Sequence, residues 1–465
     1  MSLIRRVARN FPGWPHRGFL WSYYTGLPQT IGFRMLRALV IFLSLIAGAA
    51  AAKPAAAPVD IVFRHGQTGE AAALLVDLVD RYNAESKDGK VILQHLDMVS
   101  DPHQLPHLAL LADDEDQKFF GSHPRMLPLY KVMAIARQKF DAKDFFPVVA
   151  DVVDDNKGRI QALPLALAVP VLYYNKDTFR KAKLDPAKPP ATWWEVQEAA
   201  GKIYDVDRRC PFTSSNMAWV HLENVATQHS EPIINGEHNG KAGLALNQLV
   251  EVKHVALLAS WYKSFYFRYF GPGREADEKF LSGECGMLTS DSSLYMRLLK
   301  RKPFDFGVAA LPHHDDVRDA APGIVLPDGA LLWALASKKK AEYAAVAHFV
   351  AFLMRTDIQK HWVKVTGFLP MTPAALESLA AEGTLPPDIL RRTAQRLSDK
   401  KYASSAKPKA VIGMGRVRAI LSEELEAVWA NLKPAKEALD SAVRRGNTVL
   451  QPVPARPSAD GTVAR

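Results

Sequence analysis

Residues 59–93 read VDIVFRHGQTGEAAALLVDLVDRYNAESKDGKVIL, and they carry the strongest indication of fold class in this 465-residue chain. The runs at 60–63 and 91–93 are short and rich in β-branched residues, which is typical of strands. Between them, apolar side chains recur at helical spacing, at Leu74, Leu75, Leu78, Val79 and Tyr82. A strand–helix–strand opening predicts an α/β domain with a largely parallel sheet.

The alternation of strands and helices continues downstream. A β-rich run at 170–175 precedes a short helix at 176–182, and further buried strands are predicted at 286–289 and 329–333. Thr192 and Glu195 have the spacing of a capping box at the start of a helix. Two more helices are predicted, at 343–354 and at 421–449, the second broken at Pro434.

The N-terminal region has the pattern of a secretory signal. Met35-Leu36-Arg37 is basic, residues 38–46 are apolar, and residues 47–52 are mostly alanine, which predicts cleavage near Ala50–Ala52. The apolar core is about ten residues long, shorter than a membrane-spanning helix, although an uncleaved anchor is the alternative. We therefore expect an extension and signal at 1–52 (signal 35–52), a linker at 53–58 and a disordered tail at 452–465.

The formal net charge of +10 does not indicate a nucleic-acid partner. Residues 1–52 carry six arginines and no acidic residue, so their removal leaves about +4. No basic run interleaved with aromatic residues follows. The two cysteines, Cys210 and Cys285, are either a disulfide of an exported protein or two buried thiols.

The sequence lacks the common motifs for catalysis, metal binding and cofactor binding. The chain has no H-E-x-x-H and no G-x-S-x-G, and Gly413-Met414-Gly415 lacks the third glycine of a dinucleotide loop. Pro106 prevents a regular helix that would align His103 and His107 on a metal. Residues 313–316 (HHDD) have metal-binding side chains but predict a solvated loop. We therefore expect no catalytic residue, no metal and no cofactor.

Five longer runs carry a resemblance to a known family: PVLYYNKDTFRKAKLDPAKPPATWWEV (170–196), EKFLSGECGMLTSDSS (278–293), FDFGVAALP (304–312), KVTGFLPMTPAAL (364–376) and RVRAILSEELEAVWANLKPAKEALDSAVRRGN (416–447). These runs resemble the extracellular solute-binding proteins of ABC-type uptake systems, and in particular those that bind sn-glycerol 3-phosphate. The resemblance extends in order from about residue 59 to residue 451, and both cysteines fall at matching places.

This resemblance implies a periplasmic-binding-protein-like fold, in which two α/β lobes are joined by a hinge with three chain crossings. The crossings are expected near Val169, Gly286 and Asp328. The first lobe is then 59–169 plus 286–327, and the second is 170–285 plus 328–451. The family also implies a monomeric periplasmic receptor without enzymatic activity. Its lobes would close around a small-molecule solute, and its partners would be the membrane permease subunits of the transporter.

The resemblance also implies a ligand set. Among the positions that match the family's ligand contacts, the chain keeps Arg418 and Gly329. It has Asp113 in place of a glutamate, Ala168 and Asp291 in place of two serines, and Phe368 in place of a tyrosine. Ser290 or Ser292 would supply the hydroxyl if the match at Asp291 shifts by one residue, and Trp219 or Phe368 would form an apolar wall.

Asp291 argues against glycerol 3-phosphate as the ligand, because a carboxylate close to a phosphate is unfavourable. One hypothesis is a glycerophosphodiester whose cationic head group faces Asp291 while Arg418 holds the phosphate. A second is that Arg418 pairs with Asp291 and the cleft binds a neutral polyol or sugar. Arg418 could also brace the helix that follows it. The alternative function is a drifted homologue, that is, a binding protein that no longer binds solute and has a regulatory or interaction role. A third hypothesis is an exported phosphodiesterase.

Overall fold

The structure is a computed structural model that describes residues 58–87, 89–96, 105–112, 126–155, 157–238, 241–317, 325–336, 338–383 and 411–452. The predicted signal, the linker up to residue 57, Asp113 and the tail beyond residue 452 lie outside these ranges. In the described part of the chain, no helix is both long and apolar enough to span a membrane.

Strands and helices alternate along the chain as the sequence predicts. The strands are β1 (Ile61–His65), β2 (Val91–His95), β3 (Leu108–Leu111), β4 (Leu163–Ala168), β5 (Pro170–Asn175), β6 (Cys210–Ser214), β7 (Ile234–His238), β8 (Lys241–Leu244), β9 (Phe267–Arg268), β10 (Cys285–Asp291), β11 (Phe306–Ala310), β12 (Asp328–Ala334), β13 (Val411–Ile412) and β14 (Gln451–Pro452). The helices are α1 (Gly69–Glu85), α2 (Leu129–Ile135), α3 (Pro147–Val153), α4 (Lys176–Lys181), α5 (Trp193–Val206), α6 (Asn224–Gln228), α7 (Leu249–Lys263), α8 (Glu275–Leu281), α9 (Leu294–Arg301), α10 (Lys340–Leu353), α11 (Thr356–Thr366), α12 (Pro373–Ala381), α13 (Met414–Trp429) and α14 (Ala435–Gly446). A 3₁₀ turn covers Ala142–Asp144 and a π-helix covers Trp219–Glu223.

The first sheet has the strand order β2–β1–β3–β12–β4. β1 is parallel to both β2 and β3, as the opening strand–helix–strand pattern predicts. β12 is antiparallel to β3 and to β4 and lies between them. The apolar residues at helical spacing in α1 are all buried, which confirms the face that the sequence assigns to the core.

The second sheet has the strand order β11–β5–β10–β6–β9. β10 is parallel to β6 and antiparallel to β5, so it lies near the middle of the sheet, and all its residues are buried. Cys210 of β6 is opposite Cys285 of β10, and the structure joins them in a disulfide, one of the two alternatives left open by the sequence. The predicted capping box at Thr192 and Glu195 is present at the start of α5.

The sheets divide the chain differently from the lobe boundaries expected above. The segment 286–327 was expected in the first lobe, but β10 and β11 both pair with β5 in the second sheet. The segment from 328 was expected in the second lobe, but β12 pairs with β3 and β4 in the first. The expected crossing near Gly286 is therefore wrong, because this glycine lies inside a central strand of the second sheet.

Each sheet has its own hydrophobic core, so the two sheets define two lobes. α10 and α11 contribute Phe349 and Trp362 to the core of the first sheet. α13 and α14 contribute Leu421 and Leu439 to the core of the second. The chain passes between the lobes at Val169, between β11 and β12, and again between α11 and α13.

Candidate binding site

A cavity of about 470 Å³ is lined by residues of both lobes. The first lobe contributes the ends of β4 and β12 that lie closest to the crossings, and the loop after α11. The second lobe contributes the end of β10, the start of the π-helix and the first turns of α13. This volume falls within the range of small-molecule binding sites.

Most of the site residues expected from the sequence line this cavity. They are Ala168, Trp219, Asp291, Gly329, Phe368 and Arg418. Ser292 does not line it: its hydroxyl accepts a hydrogen bond from the Val169 amide at 3.2 Å, and its own amide donates to the Val169 carbonyl at 2.8 Å. Ser292 therefore holds the first crossing rather than supplying a ligand hydroxyl. Asp113 lies outside the described residues.

The π-helix positions the aromatic wall of the cavity. Trp219 is 2% exposed, and its indole N–H donates to the Leu326 carbonyl at 3.1 Å, so the ring is held in place. Asn224, just after the π-helix, donates to the Trp219 carbonyl and accepts from the Leu326 amide at 2.7 Å. Because Leu326 belongs to the segment that crosses into β12, these bonds tie the cavity wall to the hinge. π-helical turns are frequent at functional sites.

Arg418 extends from α13 toward the cavity and pairs with two carboxylates. Its Nε and Nη2 atoms donate to the two oxygens of Glu223 at 2.6 and 2.8 Å, which is a bidentate contact. Its Nη1 atom donates to Asp328 Oδ2 at 2.8 Å. Asp328 opens β12 in the first lobe, so Arg418 bridges the lobes. The hypothesis that Arg418 pairs with Asp291 is wrong in this structure.

Asp291 has a different cationic partner. Its Oδ2 atom lies 2.9 Å from Nη1 of Arg274, and its Oδ1 atom accepts from the Ser293 amide at 2.8 Å and from the Ser293 hydroxyl. Arg274 also donates through Nε to Asp277 at 3.0 Å. These carboxylates, Asp291 foremost, raise the pKa of Arg274 above its ordinary value.

Gly329 provides close contact between two strands at the cavity wall. Its φ of +153° is a conformation that residues with a side chain rarely adopt, and a Cβ atom there would lie 1.5 Å from the Ala166 carbonyl oxygen. Only glycine lets β12 pair with β4 at this point. Gly329 thus fixes the pairing of the two strands at a point where both line the cavity.

A chain of buried histidines lies behind the π-helix. His221 Nδ1 is 2.8 Å from His254 Nε2, and His254 Nδ1 is 3.0 Å from His314 Nε2. Burial lowers the pKa of both His221 and His314 to about 3, so the rings are neutral at pH 7 and can alternate as donors and acceptors. The solvated loop predicted at 313–316 is wrong for His314, which is fully buried. Within the described ranges, no cluster of His, Cys, Asp and Glu has the arrangement of a metal site.

Three charged residues of the site were missed by the sequence reasoning: Glu223, Arg274 and Asp277. Glu223 follows an apolar run, and an acidic residue in such a run indicates a buried partner. Arg274 follows Gly271-Pro272-Gly273, a turn after a strand, which is a common place for binding residues in α/β folds. No sequence signal paired either residue with its actual partner.

The comparisons with known proteins agree with this architecture. Residues 52–387 match a family model described as bacterial extracellular solute-binding protein. The sn-glycerol-3-phosphate-binding periplasmic protein UgpB of Pectobacterium atrosepticum is 32% identical over 438 residues, covering 91% of this chain and 97% of that protein. UgpB of Escherichia coli K12 is 32% identical over 423 residues, covering 88% and 96%.

Solved structures with the same fold are more distant in sequence. UgpB from Mycobacterium tuberculosis in complex with glycerophosphocholine superposes with a TM-score of 0.66 at 18% identity, covering 84% of this chain and 98% of that one. Maltose-bound MalE3 from T. maritima gives a TM-score of 0.65 at 18% identity, covering 84% and 99%. At these identities the likeness establishes the two-lobed fold alone.

Proposed function

The chain belongs to the bacterial extracellular solute-binding proteins, and from this premise we propose that it is the receptor subunit of an ABC-type importer, which captures a small polar solute between its lobes. The periplasm is the proposed location, because the similar proteins are named as periplasmic and residues 35–52 have the pattern of a signal. The buried disulfide between Cys210 and Cys285 is consistent with an oxidising compartment.

The observation that carries this proposal is a cavity whose walls come from both lobes. A solute that contacts both walls stabilises the closed arrangement relative to the open one, and so couples binding to a hinge motion. The first crossing is held by the pair of hydrogen bonds between Val169 and Ser292. A permease that reads the closed form is the proposed membrane partner, and the receptor acts as a monomer.

The chemistry of the walls suits a solute with several hydroxyl groups. Carboxylate oxygens of Asp291 and Asp328 accept hydrogen bonds, and the neighbouring guanidinium groups donate them. Trp219 and Phe368 add apolar surface. A hydroxyl both donates and accepts, so it can bind at such paired groups without adding charge. We therefore propose a hydroxylated solute as the ligand class.

The test is a thermal-shift screen followed by calorimetric titration of the chain that begins at Lys53. The panel contains glycerol 3-phosphate, glycerophosphocholine, glycerophosphoethanolamine, glycerol, maltose and longer oligosaccharides. A ligand at 100 times its dissociation constant adds about 2.7 kcal/mol to the free energy of unfolding, a shift that is easily measured. A cavity-filling variant, Ala419→Trp, should abolish the shift, because Ala419 is exposed on α13 and lines the cavity.

The matched control is Ala187→Trp, at an exposed alanine that does not line the cavity. This variant should keep wild-type affinity. If no compound shifts the melting temperature of the wild type across the panel, the transport proposal fails and the drifted homologue with an interaction role takes its place.

A further inference from the structure

Acidic and basic side chains of the described residues are present in unequal numbers around the cavity. Among the described residues, the arginines that line it are Arg274 and Arg418. Two carboxylates, Asp291 and Asp328, line it as well, and Glu223 lies directly behind Arg418. Counted over the described residues, the cavity and its first layer of partners therefore carry more negative than positive charge.

Arg274 pairs with acceptors that belong to the protein, and its side chain is 41% exposed. Its three nitrogens are directed at Asp277, Asp291 and the Ser293 hydroxyl, the last at 3.3 Å. Asp277 has a side chain only 1% exposed and accepts hydrogen bonds from the Ser215 and Ser290 hydroxyls at 2.7 Å each. Because two carboxylates already balance its charge, Arg274 can still donate a hydrogen bond but offers little net positive charge to an anion in the cavity.

Arg418 is engaged in a similar manner. Its contact with Glu223 is bidentate, and the Glu223 side chain is 2% exposed. An anionic ligand that displaced Glu223 from Arg418 would leave a buried carboxylate without its partner, which is strongly unfavourable. Both cationic groups are thus already neutralised before a ligand enters.

We propose that Asp291 sets the ligand specificity of the cavity: by neutralising Arg274, it selects a hydroxylated solute without net negative charge and excludes phosphate monoesters. This inference rests on the proposed function, because it concerns the same cavity. A phosphate monoester carries between one and two negative charges at pH 7, and it would lie beside a carboxylate in a partly enclosed site. Asp291 is 5% exposed, so solvent screens this repulsion weakly.

The test compares wild type with Asp291→Asn, which has nearly the same shape but no charge. Both are titrated by calorimetry with glycerol 3-phosphate, glycerol, glycerophosphocholine and maltose. In wild type, glycerol 3-phosphate should bind more weakly than the best uncharged or zwitterionic compound. In Asp291→Asn, affinity for glycerol 3-phosphate should rise by at least about tenfold, because Arg274 gains a nitrogen that faces the cavity without a carboxylate. Asp305→Asn, at an exposed carboxylate paired with Arg180, is the control and should change nothing.

The outcomes separate this inference from the function on which it rests. If wild type binds glycerol 3-phosphate more tightly than every other compound, the specificity inference is overturned while the receptor function stands. An unchanged affinity for glycerol 3-phosphate in folded Asp291→Asn also overturns it. If the variant does not fold, the wild-type protein is titrated with glycerol 3-phosphate at pH 5.5 and at pH 8. The monoester carries more negative charge at pH 8 than at pH 5.5. Tighter binding at pH 8 would then contradict the inference, and weaker binding would support it. If wild type binds nothing, the receptor function itself fails.

Discussion

Replacement of Arg418 by alanine is expected to destabilise the protein whether or not Arg418 touches a solute. Both oxygens of Glu223 accept hydrogen bonds from Arg418, and the Glu223 side chain is 2% exposed. Removal of one partner leaves a buried charge without compensation, which typically costs about 3–5 kcal/mol. The side chains of Arg418 and Asp328 are 19% and 28% exposed, so water reaches the site and the lower value, about 3 kcal/mol, is expected.

This free energy corresponds to a measurable fall in melting temperature. The described residues number roughly 340, for which the entropy of unfolding is on the order of 0.7 kcal/mol/K. A loss of about 3 kcal/mol therefore lowers the melting temperature by about 4 °C. Urea unfolding and calorimetry of the ligand-free protein measure the same quantity independently.

The assay is a double-mutant cycle of Arg418→Ala, Glu223→Gln and the combined variant. Because Glu223→Gln removes the charge that Arg418→Ala leaves behind, the combined variant should be less destabilised than the two single effects added together. An Arg418→Ala variant that loses less than about 0.5 kcal/mol, or a cycle that is additive, would refute the reasoning. The cycle also shows how much of any lost binding in Arg418→Ala comes from disturbed structure.

Two further predictions concern stability. Cys210 and Cys285 are 75 residues apart, and closing a loop of that length contributes about 4.5 kcal/mol in the chain-entropy model. The double variant Cys210→Ala, Cys285→Ala should therefore lose about that much free energy of unfolding, measured as a lower midpoint of urea unfolding. An unchanged midpoint in both the variant and the reduced wild type would contradict this. Burial raises the pKa of Glu251 to about 7. Above pH 4.5 the unfolded state releases a proton that the folded state still holds. The free energy of unfolding of the wild type therefore falls as the pH rises from about 4.5 to 7. Glu251→Gln lacks this loss and should gain up to about 3 kcal/mol relative to wild type between pH 4.5 and 8, measured by urea unfolding at both pH values; a constant difference would show that Glu251 is ionised in the folded state.

The sequence predicts the local structure well and the long-range partners poorly. The capping box at Thr192 and the core face of α1 follow from spacing alone, because they depend on residues within a few turns. The resemblance to a family brings together six cavity residues that are far apart in the chain. It does not give the pairing of Arg418 with Glu223, since that depends on a π-helical turn that no periodicity indicates.

The lobe boundaries were mistaken for a related reason. A buried β-rich run such as β10 has the same appearance in either sheet, because both of its faces are covered. Only its register against Tyr173 and Phe212 places it in the second sheet. The partner of Asp291 was missed likewise, since Arg274 is brought to it by that register and by the turn before α8.

The insertion of β12 between β3 and β4 has a consequence for the order in which the chain acquires structure. Among the described strands, β4 is at the edge of the first sheet and pairs with β12, apart from a single bridge between Leu167 and Leu369. β4 and β12 are separated by roughly 160 residues of chain. Closing a flexible loop of that length costs on the order of 4–5 kcal/mol in entropy. That loop contains all five described strands of the second sheet, β5, β6, β9, β10 and β11. When the second sheet assembles, it brings the ends of the loop together and so reduces the entropic cost of pairing β4 with β12. We therefore expect the folding nucleus to form in the second lobe. Substitutions that destabilise the second lobe should then slow the folding of the first lobe, even when no residue of the first lobe is changed.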